Sequence, residues 1–130
     1  MGDKRYSNKN YAYGIVPNDF LVSMLDELPM GTVLCLAEGE GRNAVWLAQQ
    51  GRQVIAVDSS EVGLDKARRL ARERGVAITT VHADLWNYEI EADHWDAIVS
   101  IFCHLPPDLR RLVHSHCVQG LRPGGVILLE

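Results

Sequence analysis

Gly39 and Gly41 stand in the short turn Leu36-Ala37-Glu38-Gly39-Glu40-Gly41, and Asp58 closes the apolar run Val54-Ile55-Ala56-Val57. Glycine lacks a Cβ, so a backbone can turn sharply there and come close to a ligand. The amides opening the helix that follows add positive potential at the same place. A carboxylate at the end of the next strand can accept hydrogen bonds from ribose hydroxyls, and the set reads as a device for holding a nucleotide. Asp84 stands just past a third β-rich run. His104 stands past a fourth, with an imidazole suited to general base work near neutral pH. Plainer readings stand beside these: the glycines as a tight strand-to-helix turn, and His104 as the residue that leads into a helix at Pro106 and Pro107.

Holding these groups together takes alternating strands and helices. Thr32 to Leu36 is apolar after its first residue, as expected for a parallel strand covered on both faces. A helix is expected from about Arg42 to Gln50, stopping at Gly51 in left-handed conformation. Gln53 to Val57 then forms the second strand, which completes a βαβ unit. Ser59 or Ser60 caps the next helix, with Leu64, Ala67 and Ala71 inside and Asp65 paired to Arg69 outside. Val76 to Val81 reads as strand three, Trp95 to Phe102 as strand four, and Val126 to Leu129 as the start of strand five. Leu109, Leu112, Val113 and Cys117 share one face of the helix that Pro106 and Pro107 introduce. Earlier, Asn18 caps a helix with an apolar stripe of Phe20, Leu21, Met24, Leu25 and Leu28. The stretch Leu85 to His94 fits a short helix or a loop. This order implies an α/β fold with a doubly wound, mostly parallel sheet and a ligand at the carboxyl ends of its strands.

Length and composition narrow the function classes. A chain of 130 residues, 47% apolar, is expected to form one domain over residues 18–130. Residues 1–17 precede it as a tyrosine-containing arm, either a lid over the site or a frayed terminus. No apolar run approaches the roughly 20 residues that span a bilayer, and the polar start lacks a signal-peptide core, so the expected place is the cytoplasm. Cys35, Cys103 and Cys117 have neither disulfide nor zinc-site spacing, and Cys103 reads as a small apolar group. His82, His94, His114 and His116 form no coherent ligand pattern beyond His114-x-His116, so no metal is assigned. A net charge of −4 speaks against a nucleic-acid partner and for a small-molecule substrate.

The combined motifs carry a resemblance. Leu36-Ala37-Glu38-Gly39-Glu40-Gly41, Val57-Asp58, Ala83-Asp84 with Trp95-Asp96-Ala97-Ile98-Val99, and Leu121-Arg122-Pro123-Gly124-Gly125 occur in the order and spacing of class I S-adenosylmethionine-dependent methyltransferases. The chain looks most like the tellurite-resistance and thiopurine-methyltransferase-like branch. The resemblance implies a Rossmann-like methyltransferase fold, S-adenosyl-L-methionine as cofactor, and transfer to a small-molecule methyl acceptor. It places Ala37, Glu38, Gly39, Gly41, Asn43, Asp58, Ser59, Asp84 and Leu85 at the cofactor, with Asp58 on the ribose and Asp84 toward the adenine amino group. His104 falls where the family often reaches its substrate. Two positions depart from the pattern, Cys35 where an acid is usual and Ala37 where a glycine is usual. Glu38 or Glu40 is the candidate replacement carboxylate for the cofactor's ammonium group.

Two other functions compete. An NAD-dependent oxidoreductase fits Gly39-x-Gly41-x-x-Ala44 with Asp58 as ribose acid. A cofactor-binding module without turnover fits the altered first motif. The family adds two further strands beyond the fifth, so the resemblance also leads us to expect an incomplete fold and self-association through the edge near residues 126–130.

Overall fold

In the computed structural model, residues 17–36, 41–100 and 105–129 are described. The proposed lid over residues 1–17 therefore lies almost wholly outside them.

Among the described residues five parallel strands form one sheet: β1 (Thr32–Leu36), β2 (Gln53–Asp58), β3 (Thr79–His82), β4 (Trp95–Ser100) and β5 (Leu121–Leu129). Their order is β3-β2-β1-β4-β5. The chain winds outward from β1 to one edge, then returns to the other side of β1 to place β4 and β5. That reversal between β1 and β4 is the topological switch point of a doubly wound sheet. Register is regular across the centre, with Val33 beside both Val54 and Ala97, and Leu34 beside both Ile55 and Ile98.

Alternation along the strands sorts the core into two layers. Val33, Cys35, Val54, Ala56, Ala97, Val99 and Leu128 face one way, against Leu21 of α1 (Asp19–Ser23) and Ala44 and Leu47 of α2 (Arg42–Gln49). Leu34, Leu36, Val57 and Ile98 face the other way, against Leu109, Val113 and Cys117 of α4 (Pro107–Gly120). α3 (Glu61–Glu73) buries Leu64, Ala67, Leu70 and Ala71 as its inner stripe, with Leu70 and Ala71 clustered with Val45 of α2. Helices on both faces explain why β1 tolerates no polar alternation: Val33 through Leu36 are at most 1% exposed.

Several local expectations change for identifiable reasons. The apolar stripe after Asn18 is not one helix. Asn18 does cap α1, its side chain accepting from the Leu21 amide at 3.1 Å, but α1 ends at Ser23 and a 3₁₀ turn covers Leu25–Glu27. Pro29 holds Leu28 extended and so prevents another α turn, while Arg52 Nη2 takes up the Leu25 and Leu28 carbonyls. Strand three starts at Thr79 instead of Val76 because Val76 belongs to the end of α3. Gly75 adopts φ +70°, its amide bonds the Arg72 carbonyl, and the Val76 amide bonds the Ala71 carbonyl, which together make a Schellman closure. Gly51 ends α2 in the same way, as expected. Asp65 pairs with Arg68. β5 begins at Leu121, and Pro123-Gly124-Gly125 interrupts its register with β4 without ending it. Leu85 to His94 contains turns and no helix.

Asp96 clasps the amino ends of the central strands. Its Oδ2 accepts from the Thr32 amide at 2.9 Å and from Thr32 Oγ1 at 3.1 Å, with Arg122 Nη1 at 3.5 Å. Gly31 leaves room for this carboxylate, since a Cβ there would stand 2.2 Å from Oδ2. The Thr32 amide, then its hydroxyl and Arg122, hold the Asp96 carboxyl below the ordinary carboxylate range against the opposing effect of burial. A depressed folded-state pKa gives stability that is present above the unfolded value, near 3.9, and is lost as pH falls through the folded one. Asp96→Asn should thus be less stable than wild type by about 1 to 2 kcal/mol at neutral pH. Denaturant melts taken between pH 7 and 2 should show that gap closing at the acid end; a gap independent of pH would assign the loss to packing.

Candidate active site at the carboxyl ends of the strands

The crevice is defined by what leaves the carboxyl ends of β1, β2, β3 and β4. Gly41, after β1, sits at the N-cap of α2 with φ +92° and is buried. A Cβ on it would lie 2.5 Å from the Ala67 Cβ and 2.7 Å from the Ala67 Cα. The missing side chain therefore first serves the close approach of α3 to the turn, which supports the packing reading for this glycine. Asn43, in the first turn of α2, is 6% exposed, and its Oδ1 accepts from the Asn18 amide at 2.8 Å. That bond ties the start of α1 to the turn, a link no local pattern announces.

Asp58 ends β2 and is 7% exposed. Its Oδ1 accepts from the Ser60 amide at 2.8 Å, and its carbonyl accepts from the Ala83 amide at 3.0 Å. Ser60 caps α3 by accepting from the Gly63 amide at 3.0 Å, so Ser60, not Ser59, is the cap. Ser59 is exposed at the rim, with its carbonyl 2.9 Å from His82 Nε2. The amino ends of α2 and α3 both open here, and their helix dipoles make the crevice favourable for an electron-rich ligand.

Asp84 lies two residues past β3, exposed, and accepts from the Asn87 amide (3.1 Å) and from Asn87 Nδ2 (2.9 Å to Oδ2). Leu85 is partly buried and packs against the apolar cluster that includes Leu34, Leu36 and Val57. Ala37, Glu38, Gly39, Glu40, Cys103 and His104 lie outside the described residues. Among the described residues no group of histidines, cysteines and acids is arranged to hold a metal ion, and no helix is long and apolar enough to cross a membrane. A cavity of about 360 Å³ opens by Thr32, Arg52 and Thr79 at the opposite, amino end of the sheet, away from these groups.

The family model described as a methyltransferase domain matches residues 33–125. The chain belongs to the methyltransferase domain family. The match runs from β1 into the glycine interruption of β5, so it takes in Gly41, Asp58 and Asp84 together. Among similar proteins, the glycine/sarcosine N-methyltransferase of Halorhodospira halochloris is 31% identical over 118 residues, 86% of this chain and 44% of that protein. The carboxy-S-adenosyl-L-methionine synthase of Vibrio parahaemolyticus is 29% identical over 127 residues, 96% of this chain and 51% of that protein. A crystal structure of an S-adenosylmethionine-dependent methyltransferase from Mesorhizobium loti superposes with a TM-score of 0.70 at 29% identity, covering 85% of this chain and 50% of that one. The chain spans about half the length of the relatives it matches. Within this methyltransferase domain the five-stranded parallel sheet and its flanking helices are the Rossmann-like arrangement that the motifs led us to expect.

The donor set fits S-adenosyl-L-methionine, the family's cofactor. A buried carboxylate already oriented by a backbone amide is suited to a pair of ribose hydroxyls, and Leu85 supplies apolar surface beside Asp84. Cys35, where the resemblance led us to expect an acid, is 1% exposed and belongs to the core cluster with Val33, Ala44 and Ala56.

Proposed function

We propose that this chain carries out S-adenosylmethionine-dependent methyl transfer to a small-molecule acceptor, within the tellurite-resistance and thiopurine-methyltransferase-like branch. The observation that carries this reading is Asp58: a buried acid at the end of β2, beside the switch point, inside the region matched by the methyltransferase model. The bound cofactor supplies a sulfonium, an activated methyl donor, and the protein's work is to align donor and acceptor. Asp58 accepts from the ribose hydroxyls, with Ser59 at the rim. Asp84, its carboxylate oriented by Asn87, accepts from the adenine amino group over Leu85. Ala37, Glu38, Gly39 and Gly41 enclose the amino-acid portion, with Asn43 bracing the helix start behind them. His104 orients the acceptor and takes its proton. Residues 18–130 form the cofactor domain, preceded by the N-terminal arm of residues 1–17. A small acceptor agrees with the net charge of −4 and with the substrates named for the glycine/sarcosine relative. Leu129 is half exposed on the outer strand β5, which supports self-association along that edge.

Parallel calorimetric titrations with S-adenosylhomocysteine and NAD test the reading, with binding expected for the first alone. In His104→Ala, binding of S-adenosylhomocysteine should stay within about twofold of wild type while methyl transfer falls by roughly 10²-fold or more. NAD binding in place of S-adenosylhomocysteine would establish the oxidoreductase reading instead. Core packing of Cys35 favours one second reading, a module that binds the cofactor without turnover. Bound S-adenosylmethionine that gives no methylated product with any small acceptor would select it.

A further inference from the structure

We propose that the cavity at the amino end of the sheet is a second ligand site, which takes a small organic carboxylate with an apolar body and pairs it with Arg52. The site lies at the far end of the strands from Asp58 and Asp84, so it stands whatever binds in the crevice between them. Its volume of about 360 Å³ is at the small end of the roughly 300 to 1,000 Å³ common for small-molecule sites. Val54, Ile55 and Ile78 supply apolar wall, while Gln53 and Thr79 stand exposed at its rim. Ile55 and Thr79 are register partners on β2 and β3, so wall and rim are fixed by the sheet itself.

Arg52 is the charged member of that lining. Its terminal nitrogens are taken up by neutral groups: Nη1 donates to the Gln50 carbonyl at 3.0 Å, and Nη2 to the Leu25 and Leu28 carbonyls at 3.3 and 2.7 Å. These carbonyls close α2 and the 3₁₀ turn, so helix capping accounts for two of the three nitrogens. It does not account for Nε, which is buried and has no hydrogen-bond partner among the described residues. Nor does any ion pair among the described residues include Arg52. Asp96, the acid that meets Thr32 at this end of the sheet, is held by Thr32 and Arg122 instead. A ligand carboxylate would balance the charge and receive the remaining N–H together. Nε is closed off from water, so a ligand oxygen reaches it through a small turn of the Arg52 side chain, in which the 3.3 Å bond to Leu25 is the first to yield. The apolar body then lies along Ile55 and Ile78.

Nuclear magnetic resonance of the isotope-labelled chain, titrated with benzoate and hexanoate at fixed ionic strength, tests this. Benzamide and hexanamide serve as the uncharged counterparts. The carboxylates should shift the Arg52 Nε–Hε signal and the Ile78 and Thr79 amides saturably, and bind about tenfold or more tightly than the amides. The Ser60 and Asp84 signals should stay in place. Arg52→Gln should abolish the preference for carboxylate. That variant also gives up the contacts to Leu25 and Leu28, so Thr79→Trp supplies a second one that keeps them. Thr79 is exposed on a strand, where tryptophan is well tolerated and its ring would fill the rim. With Arg52 intact, carboxylate affinity should still fall about tenfold, as expected when the apolar body loses its place. Shifts at Ser60 and Asp84 in place of Arg52 would put the carboxylate in the crevice and overturn the proposal. So would equal affinity for acid and amide, wild-type affinity in Thr79→Trp, or no saturable shift of Arg52 with either carboxylate.

Discussion

Asp58→Ala should bind S-adenosylhomocysteine about a hundredfold more weakly than wild type while keeping its fold. Each hydrogen bond to a charged acceptor contributes roughly 1.5 to 3 kcal/mol, and each 1.4 kcal/mol is tenfold in affinity. Two ribose bonds set an upper bound above that, reduced because water replaces the carboxylate in the mutant. The Ser60 amide adds a second cost, since it loses its acceptor when Asp58 is shortened. Asp58→Asn separates the two: its carbonyl oxygen still receives the Ser60 amide, so the loop is kept and only the charge is lost. About tenfold weakening is expected for Asn. Isothermal titration of the three proteins, with circular dichroism as the fold control, would settle it. Wild-type affinity in the Ala variant would mean that Asp58 is not the ribose acid.

The second large effect is on stability. Gly41→Ala places a Cβ at φ +92° and drives it to 2.5 Å from the Ala67 Cβ. Left-handed backbone costs a non-glycine residue about 1 to 2 kcal/mol, and overpacking adds about 1 to 3. The sum, about 2 to 5 kcal/mol, should lower the melting temperature by roughly 10 °C or more in a domain this size. A double mutant divides the two causes. Adding Ala67→Gly to Gly41→Ala relieves the steric part and leaves the backbone part, so the pair should be coupled favourably relative to the sum of the single mutants. A single mutant melting with wild type would show that the turn does not need glycine at this position.

These two residues also show what the sequence made legible. Asp58 was readable because an apolar run that ends in an acid is a local signal, and β2 does end there. Gly41 was readable as a turn, but the reason for it was not, because Ala67 reaches it only through the packing of α3. The capping serine was undecided between neighbours, since Ser59 and Ser60 have the same side chain; the Asp58 carboxylate makes the choice by catching the Ser60 amide. Val76 looked like strand by its branched side chain and was taken by the helix closure at Gly75. His82 carried no sequence signal at all. It stands level with Asp58 on the neighbouring strand, a relation that exists only once the sheet has formed.

The placement of β1 between β2 and β4 bears on how the protein is made. β2 follows β1 directly through α2, whereas the clasp from Thr32 to Asp96 joins residues 64 apart. On a ribosome, which releases the amino end first, the Gly41 and Asp58 side of the cleft has its strands well before β4 emerges. During that interval β1 presents an unpaired edge, the kind of surface on which other chains add strands. The cleft is thus a late product of synthesis. One wall comes from neighbouring stretches of chain, the other waits for a distant one, and a nascent chain passes through a stage that already has Asp58 and still lacks the facing wall.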